Sequence, residues 1–415
     1  MDGYSWLKGF NYVPSYARND IEFWRDYDPL VIEREMGYAK RLGLNCARVF
    51  LAQIVYKDDT EKFISSFTHF VKTAYKNGIQ TLPCVWDSCF SEAEPLITAN
   101  VNEWIPNPGV MYLDSKFWDS QKPYCDALIK AMKDEPGLLM WDIHNEPTCT
   151  AYVTHYQGAE KERHIKEIWT FVEHWCAYFK EHDKRPVTVG VMCPEEFETV
   201  GPWCTVLSFH DYSPTWKGIN TKFDIALKAA EKFSKPVFCS EMSCPARSNP
   251  YDITIQIAGE KHIGYIVWEL MIGCGFWGDR HGILYPDGTV RDPSIVSAIA
   301  GFYRKRNTIG RNYYINTEGR IDRTLEQAKT WLDNPKSAYD EGLEIACSMA
   351  YLTESGNLVP LNILPTAKYA ELERSSENRT ALEALMREWM LVLRADADKK
   401  GSSTEQMVYG PPPVQ

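Results

Sequence analysis

Short apolar runs and longer amphipathic runs take turns along most of the chain. Leu7–Tyr12 is strand-like and ends at Val13-Pro14. Pro29–Leu42 then places Leu30, Ile32, Met36, Ala39 and Leu42 near helical spacing, and Gly43 stops it. Leu44–Leu51 is the second strand-like run, Thr60–Asn77 the next helix, and Ile79–Trp86 the third strand. A loop with several Pro and Gly breakers covers Asp87–Leu113. Ser115–Lys133 reads as a helix and Gly137–Ile143 as the fourth strand. The long helix Glu160–His182 carries Ile165, Ile168, Phe171, Val172, Trp175 and Phe179 on one face. Pro186–Met192, Cys204–Phe209, Pro236–Cys239 and Gly264–Trp268 are further strand-like runs, with helices over Lys222–Phe233 and Asp292–Arg304.

The apolar runs are nearly continuous, as in parallel strands covered on both faces. Eight of them alternating with helices over about 300 residues predict a (β/α)8 TIM barrel. A doubly wound sheet competes, but Gly9-Phe10-Asn11-Tyr12 is not the glycine-rich phosphate turn that such a sheet places after its first strand. From residue 311 the alternation stops. Arg323–Leu332, Tyr339–Tyr351, Thr366–Arg374 and Thr380–Leu393 read as helices of an appendage over 311–395. Residues 396–415, polar and then Pro411-Pro412-Pro413, read as a disordered tail. The expected domains are therefore a catalytic barrel over 1–310, a C-terminal helical appendage over 311–395, and the tail. The appendage offers a surface through which the chain would form a homo-oligomer.

Composition narrows the function. With 45 Lys+Arg against 56 Asp+Glu and no long basic run, the chain lacks the electrostatic footprint of a nucleic-acid or membrane-surface binder. No apolar stretch is long enough to span a bilayer. The start, Met1 to Trp6, has neither a basic region nor an apolar core of the kind that directs export. The 12 cysteines include no CxxC pair and no zinc-type spacing. Reduced, mostly buried thiols in the cytoplasm are the expectation.

In a barrel of this kind the C-terminal strand ends hold the chemistry. Here they present Asn11, Arg48, Trp86-Asp87, His144-Asn145-Glu146-Pro147, His210-Asp211-Tyr212, Ser240-Glu241 and Trp268-Glu269. Glu146 and Glu241, on strands four and seven, face each other across the mouth. Two such carboxyl groups about 5–5.5 Å apart are what a retaining glycosidase needs, one protonated and one ionised. A metal reading competes, since Asp142, His144 and Glu146 would share one face of strand four. The other strands supply no matching ligand set, so neither metal nor organic cofactor is expected. A sugar-binding barrel without catalysis would be expected to lack one of the carboxylates, and both are present. His144 reads as a core histidine, and Glu269, one residue past Trp268, as a structural group. Trp169 and Trp175 fall on a helix and read as core. Trp86, Trp104, Trp203, Trp216, Trp268 and Trp277 fall at or after strand ends, where aromatic faces stack on sugars.

Trp141-Asp142-Ile143-His144-Asn145-Glu146-Pro147 resembles the Asn-Glu-Pro signature of clan A glycoside hydrolases. Arg48, Asn145-Glu146, His210-x-Tyr212, Glu241 and Trp268 together are similar to the site of glycoside hydrolase family 5. The resemblance implies Glu146 as general acid/base and Glu241 as nucleophile. It implies Asn145 on the sugar 2-hydroxyl, Tyr212 at the nucleophile or ring oxygen, and Trp268 under the sugar being cleaved. Arg48 beside Glu241 would keep that carboxylate ionised, and the neighbouring carboxylate would raise Glu146 and keep it protonated. Family 5 has a histidine at the end of strand three, where this chain has Trp86-Asp87. The implied activity is retaining hydrolysis of β-linked glycosides, with a carbohydrate as the partner. The loops Asp87–Leu113 and Trp277–Asp292 would wall one end of the cleft, which favours exo action on small oligosaccharides. The endo-acting, cellulase- or mannanase-like form is the alternative.

Overall fold

The structure, a computed structural model, describes residues 3–89, 95–99, 105–275, 281–303, 323–339, 341–343, 345–346, 349 and 378–399. Eight parallel strands close a barrel in sequence order: β1 Lys8–Asn11, β2 Cys46–Phe50, β3 Gln80–Asp87, β4 Trp141–Asn145, β5 Val187–Val191, β6 Leu207–Asp211, β7 Val237–Met242 and β8 Gly264–Val267. β8 returns to β1 with Lys8 opposite Tyr265 and Phe10 opposite Val267, so the sheet has no free edge. This is the (β/α)8 TIM barrel that the alternation predicts.

The helices between strands are α1 Asp20–Arg25, α2 Pro29–Arg41, α3 Gln53–Asp58, α4 Thr60–Lys76, α5 Trp118–Met132, α6 Ala151–Thr154, α7 Gly158–His182, α8 Phe197–Val200, α9 Trp216–Phe233, α10 Tyr251–Glu260 and α11 Pro293–Ile299. Their starts follow local chemistry. Asp28 caps α2 by accepting from Leu30 N and Val31 N, and Asp59 caps α4 by accepting from Lys62 N. Thr215 caps Gly218 N, so α9 begins six residues before the apolar spacing suggests. α10 escapes the periodicity because Thr254, Ile255, Gln256, Ile257 and Ala258 are all buried, so no polar face marks the helix. α11 ends at Ile299, short of the predicted Arg304, before Gly301 in the left-handed region.

One core fills the space between sheet and helices. It includes Val49, Val85, Trp86, Ile143, Phe171, Trp175, Phe209 and Val267. A second, smaller cluster plugs the N-terminal end of the barrel: Leu7, Cys46, Leu82, Met140, Val206, Phe238 and Ile266. With the bottom sealed by apolar side chains, the polar inward positions collect at the opposite end. Among the described residues no helix is long and apolar enough to cross a membrane.

The chain divides into two compact units, Met1–Arg304 and Lys305–Gln415. In the second, Leu325, Ala328, Trp331, Ala346, Met349, Leu382, Leu385, Met386 and Leu393 form a separate apolar cluster. The predicted helices at 323–332 and 380–393 correspond to helical residues 323–333 and Arg379–Lys399, the latter running into the predicted tail. The helix predicted over 366–374 and the tail beyond Lys399 lie outside the described residues, as does much of 339–351.

Candidate active site

The site is built around one buried cation. Arg48, near the C-terminal end of β2, has no exposed surface. Its Nε donates to Asp142 Oδ2 at 2.8 Å, and its Nη1 to Asn11 Oδ1 at 3.0 Å and Glu241 Oε1 at 2.5 Å. Its Nη2 donates to Asn145 Oδ1 at 2.9 Å. Burial alone would lower its pKa, but Asp142 and Glu241 hold it above the ordinary value. One guanidinium thus ties β1, β2, β4 and β7 together at the barrel mouth. Asn11 completes the tie by donating to Ser240 O at 3.1 Å and Val267 O at 3.3 Å.

Both glutamates reach the mouth through breaks in strand periodicity. Met140, just before β4, and Asp142 within it face inward, so simple alternation would send His144 in and Asn145 out. The pairing with β5 slips by one residue between Asp142 and Asn145. His144 therefore faces the helix layer, edge-on to Phe171, with Ser88 Oγ at 3.1 Å. Asn145 turns inward to Arg48. At Glu146 the backbone enters the left-handed region, φ 39°, a conformation that costs of order 1 kcal/mol or more for a residue with a Cβ. β7 repeats the device. Its pairing with β6 slips between Phe209 and His210, which brings Glu241 opposite His210.

His210 bridges the two acids. Its Nδ1 lies 2.7 Å from Glu146 Oε1 and 3.4 Å from Glu241 Oε2. Tyr212 donates its hydroxyl to Glu241 Oε2 at 2.7 Å. The ligating atoms of Glu146, His210 and Glu241 all lie within 4.8 Å of one another. Among the described residues His210 Nε2 is buried with no hydrogen-bond partner, so Nδ1 carries the ring's strong contact. Gly190 in β5 makes room for this cluster. A Cβ there would stand 2.8 Å from Arg48 Nη2 and 3.0 Å from His210 Nε2. Trp268, 5% exposed, packs with Phe50, Cys84 and Tyr212, its ring edge-on to Phe50 at 5.9 Å. Its carbonyl accepts from Tyr251 OH at 2.7 Å, which anchors the strand end that carries the ring.

The structure therefore gathers Asn11, Arg48, Asn145, Glu146, His210, Tyr212, Glu241 and Trp268 at one mouth. Asp87 joins them, accepting from Asn145 Nδ2 at 3.3 Å and from Cys89 N at 3.0 Å. Trp86 does not. Val85 and Trp86 both face the helix layer, and Trp86 packs on Tyr124, Phe171 and Trp175. The break in β4 is matched in β3, so Trp86 stays outside with its partner His144 while Asp87 enters with Asn145. Trp216 opens α9 and packs on the outer core. Trp104 and Trp277 lie outside the described residues. Trp175 is buried core, and Trp169 is partly buried against it.

Three expectations about charge are corrected. Burial pushes the Glu146 carboxyl up, but the hydrogen bond and charge of His210, with Cys89 and Arg247, bring it below its ordinary value. The neighbour that bears most strongly on the Glu146 carboxyl is thus His210, not the other carboxylate. Asp142, His144 and Glu146 do not share a face, because Asp142 is committed to Arg48 and Gly190 N while His144 faces outward. Glu269 is more than a structural group. It is buried, only 6% exposed. Burial, with the charges of Asp20 and Glu241, pushes it up to about 8. Burial likewise raises Asp87 to about 7, against the hydrogen bonds from Cys89 N and Asn145. Sequence reasoning weighed Asp142 only as a metal ligand, not as the partner of Arg48, and missed Gly190, Asp20 and Cys89. Asp142 carried a signal, because it stands three residues before Asn145 within the same strand end.

No protein-family model and no curated protein sequence matches the chain. Solved structures do. An exo-β-1,4-mannosidase from Opitutaceae bacterium strain TAV5 aligns with TM-score 0.51 and 14% identity over 71% of this chain; the chain spans 58% of that enzyme's length. An endo-1,4-β-mannanase from Rhizomucor miehei aligns with TM-score 0.52 and 14% identity over 73% of this chain and 95% of its own. A glycoside hydrolase of family 5, subfamily 18, from Bifidobacterium longum subsp. longum, crystallised with Manβ1-4GlcNAc, aligns with TM-score 0.51 and 13% identity, covering 71% and 78%. The likeness is one of fold, a closed (β/α)8 barrel.

Proposed function

We propose that the protein is a retaining β-glycoside hydrolase. The observation that carries this reading is the placement of Glu146 and Glu241, whose nearest oxygens lie within 4.8 Å of each other at the ends of β4 and β7. Inverting enzymes hold their carboxyl groups about 6.5–9.5 Å apart to admit a water, and retaining enzymes about 5–5.5 Å. In the first step Glu241 attacks the anomeric carbon and Glu146 delivers its proton to the departing glycosidic oxygen. That breaks the C–O bond and leaves a glycosyl ester on Glu241. In the second step Glu146 takes a proton from water, whose oxygen attacks the same carbon and releases Glu241. Arg48 and Tyr212 each donate to one oxygen of Glu241, which fixes the nucleophile in place. The short contact from His210 Nδ1 lets one proton pass between imidazole and Glu146, as a group that must act first as acid and then as base requires.

The substrate class we infer is a small β-mannoside cleaved from its end. Structures of the same fold include an exo-mannosidase and an enzyme holding Manβ1-4GlcNAc, and this supports the inference. Trp268 would carry the sugar ring, with Glu269 and Asp87 beside it as acceptors for ring hydroxyls.

Azide rescue separates the two carboxyl roles. With an activated aryl β-glycoside, Glu241→Ala should be inactive until azide is added and should then yield the α-glycosyl azide. Glu146→Ala should yield the β-glycosyl azide. NMR of the wild-type product should show the β anomer first. An α anomer as first product, or near-wild-type turnover in Glu241→Ala, would overturn the reading. A panel of nitrophenyl β-glycosides and reduced oligosaccharides then tests the mannoside and exo assignments.

A further inference from the structure

A second set of potential ligands touches Glu146 from the side away from His210. The β3 end and the turn after β4 are joined by a bridge between Cys89 and Thr150. The turn Glu146-Pro147-Thr148-Cys149 closes by Cys149 N donating to Glu146 O at 2.8 Å. Both cysteines thereby face the carboxylate. Cys89 Sγ lies 3.5 Å from Glu146 Oε2, whereas His210 holds Oε1. The two sulfurs and the carboxylate oxygen all lie within 4.8 Å of one another.

These spacings fit a tetrahedral metal ion. Zn–S bonds of about 2.3 Å and a Zn–O bond of about 2.1 Å put sulfur and oxygen ligands about 3.6 Å apart and two sulfurs about 3.8 Å apart. Two thiolates in a set of three select a soft or borderline ion such as Zn2+ over Mg2+ or Ca2+. Cys89 is buried but Cys149 is partly exposed, so an ion has a way in. Thiols that served only as small apolar filler would pack against apolar atoms, not against a carboxylate.

We propose that Cys89, Cys149 and Glu146 form a binding site for a Zn2+-class ion, and that occupancy blocks the acid/base carboxylate. A metal held on Oε2 leaves Glu146 unable to protonate the leaving oxygen. Thiolates, carboxylate and a water complete four-coordination, and the thiol protons leave to solvent. The inhibitory consequence rests on the acid/base reading of Glu146; binding of the ion does not.

The test uses the full chain. Titration with Co2+ should give a thiolate-to-cobalt charge-transfer band, and equilibrium dialysis should find one Zn2+ at this site. Zn2+ should inhibit the wild type, and a chelator should restore activity. Cys149→Ser and Cys149→Ala should keep uninhibited turnover, lose the cobalt band, and need at least tenfold more Zn2+ for the same inhibition. Circular dichroism confirms that each variant folds, and the second stands in if the first does not. Absence of the cobalt band in the wild type overturns the site. So does zinc inhibition unchanged in folded Cys149 variants, which would place the ion on Glu146, His210 and Glu241. If the protein fails to cleave glycosides but shows the band, the site stands and the catalytic reading falls.

Discussion

Arg48 shows how much a single residue organises here. It meets two carboxylates and two amides from three other strands with no water-exposed surface. Removing it would leave Asp142 and Glu241 buried without their cation, a loss of about 3–5 kcal/mol. A less obvious residue is Gly190, whose missing side chain is what allows the cluster to close. Gly190→Ala would insert a methyl 2.8 Å from Arg48 Nη2. We predict a fall in kcat of at least tenfold, with the protein still folded by circular dichroism. Unchanged kcat would show that the cluster can give way. The strand-end residues Arg48, Asn145, Glu146, Tyr212 and Glu241 were legible in the sequence because their order and spacing are tied to strand ends. Gly190 was not, because a glycine within an apolar strand carries no trace of what approaches it.

Among the elements, β3 and β4 are most informative. Both depart from strict alternation at the same level, which sends Trp86 and His144 into the helix layer and Asp87 and Asn145 into the mouth. A strand read alone gives no warning of such a break, since all of these positions are buried on one face or the other. Trp86 therefore belongs to the packing of β3 against α5 and α7. Trp86→Ala should cost about 3–5 kcal/mol in urea unfolding. Trp86→Phe, which refills most of the space, should leave KM and kcat within about twofold of wild type. A large rise in KM for Trp86→Phe would return the ring to the site. α10 makes the complementary point. Its helix was invisible to periodicity because it is buried nearly all round, yet the barrel requires a connection between β7 and β8 on the outside of the sheet.

For the whole molecule, the acidic mouth has a consequence for stability. Glu269 titrates near 8 and Asp87 near 7 in the native state, against ordinary values of 4.5 and 3.8. Between those limits each of these two groups binds more proton in the folded protein than in the unfolded chain, so the stability they contribute is greatest below the ordinary values and is lost as pH rises toward 8. Glu269→Gln should remove one such contribution. The variant should gain on wild type by a few kcal/mol between pH 4.5 and pH 8.5 in urea unfolding, and a constant difference across that range would contradict the raised, buried carboxyl. The sequence by itself determined the barrel, because eight apolar runs alternating with helices leave few ways to bury both faces of a parallel sheet. It also determined which strand ends carry polar chemistry. Tertiary structure alone decided which of those side chains enter the mouth, that Glu146 answers to His210, and that Cys89 and Cys149 meet beside it. Those outcomes depend on one-residue slips between paired strands and on contacts between segments far apart in the chain, and neither leaves a periodic mark on either segment.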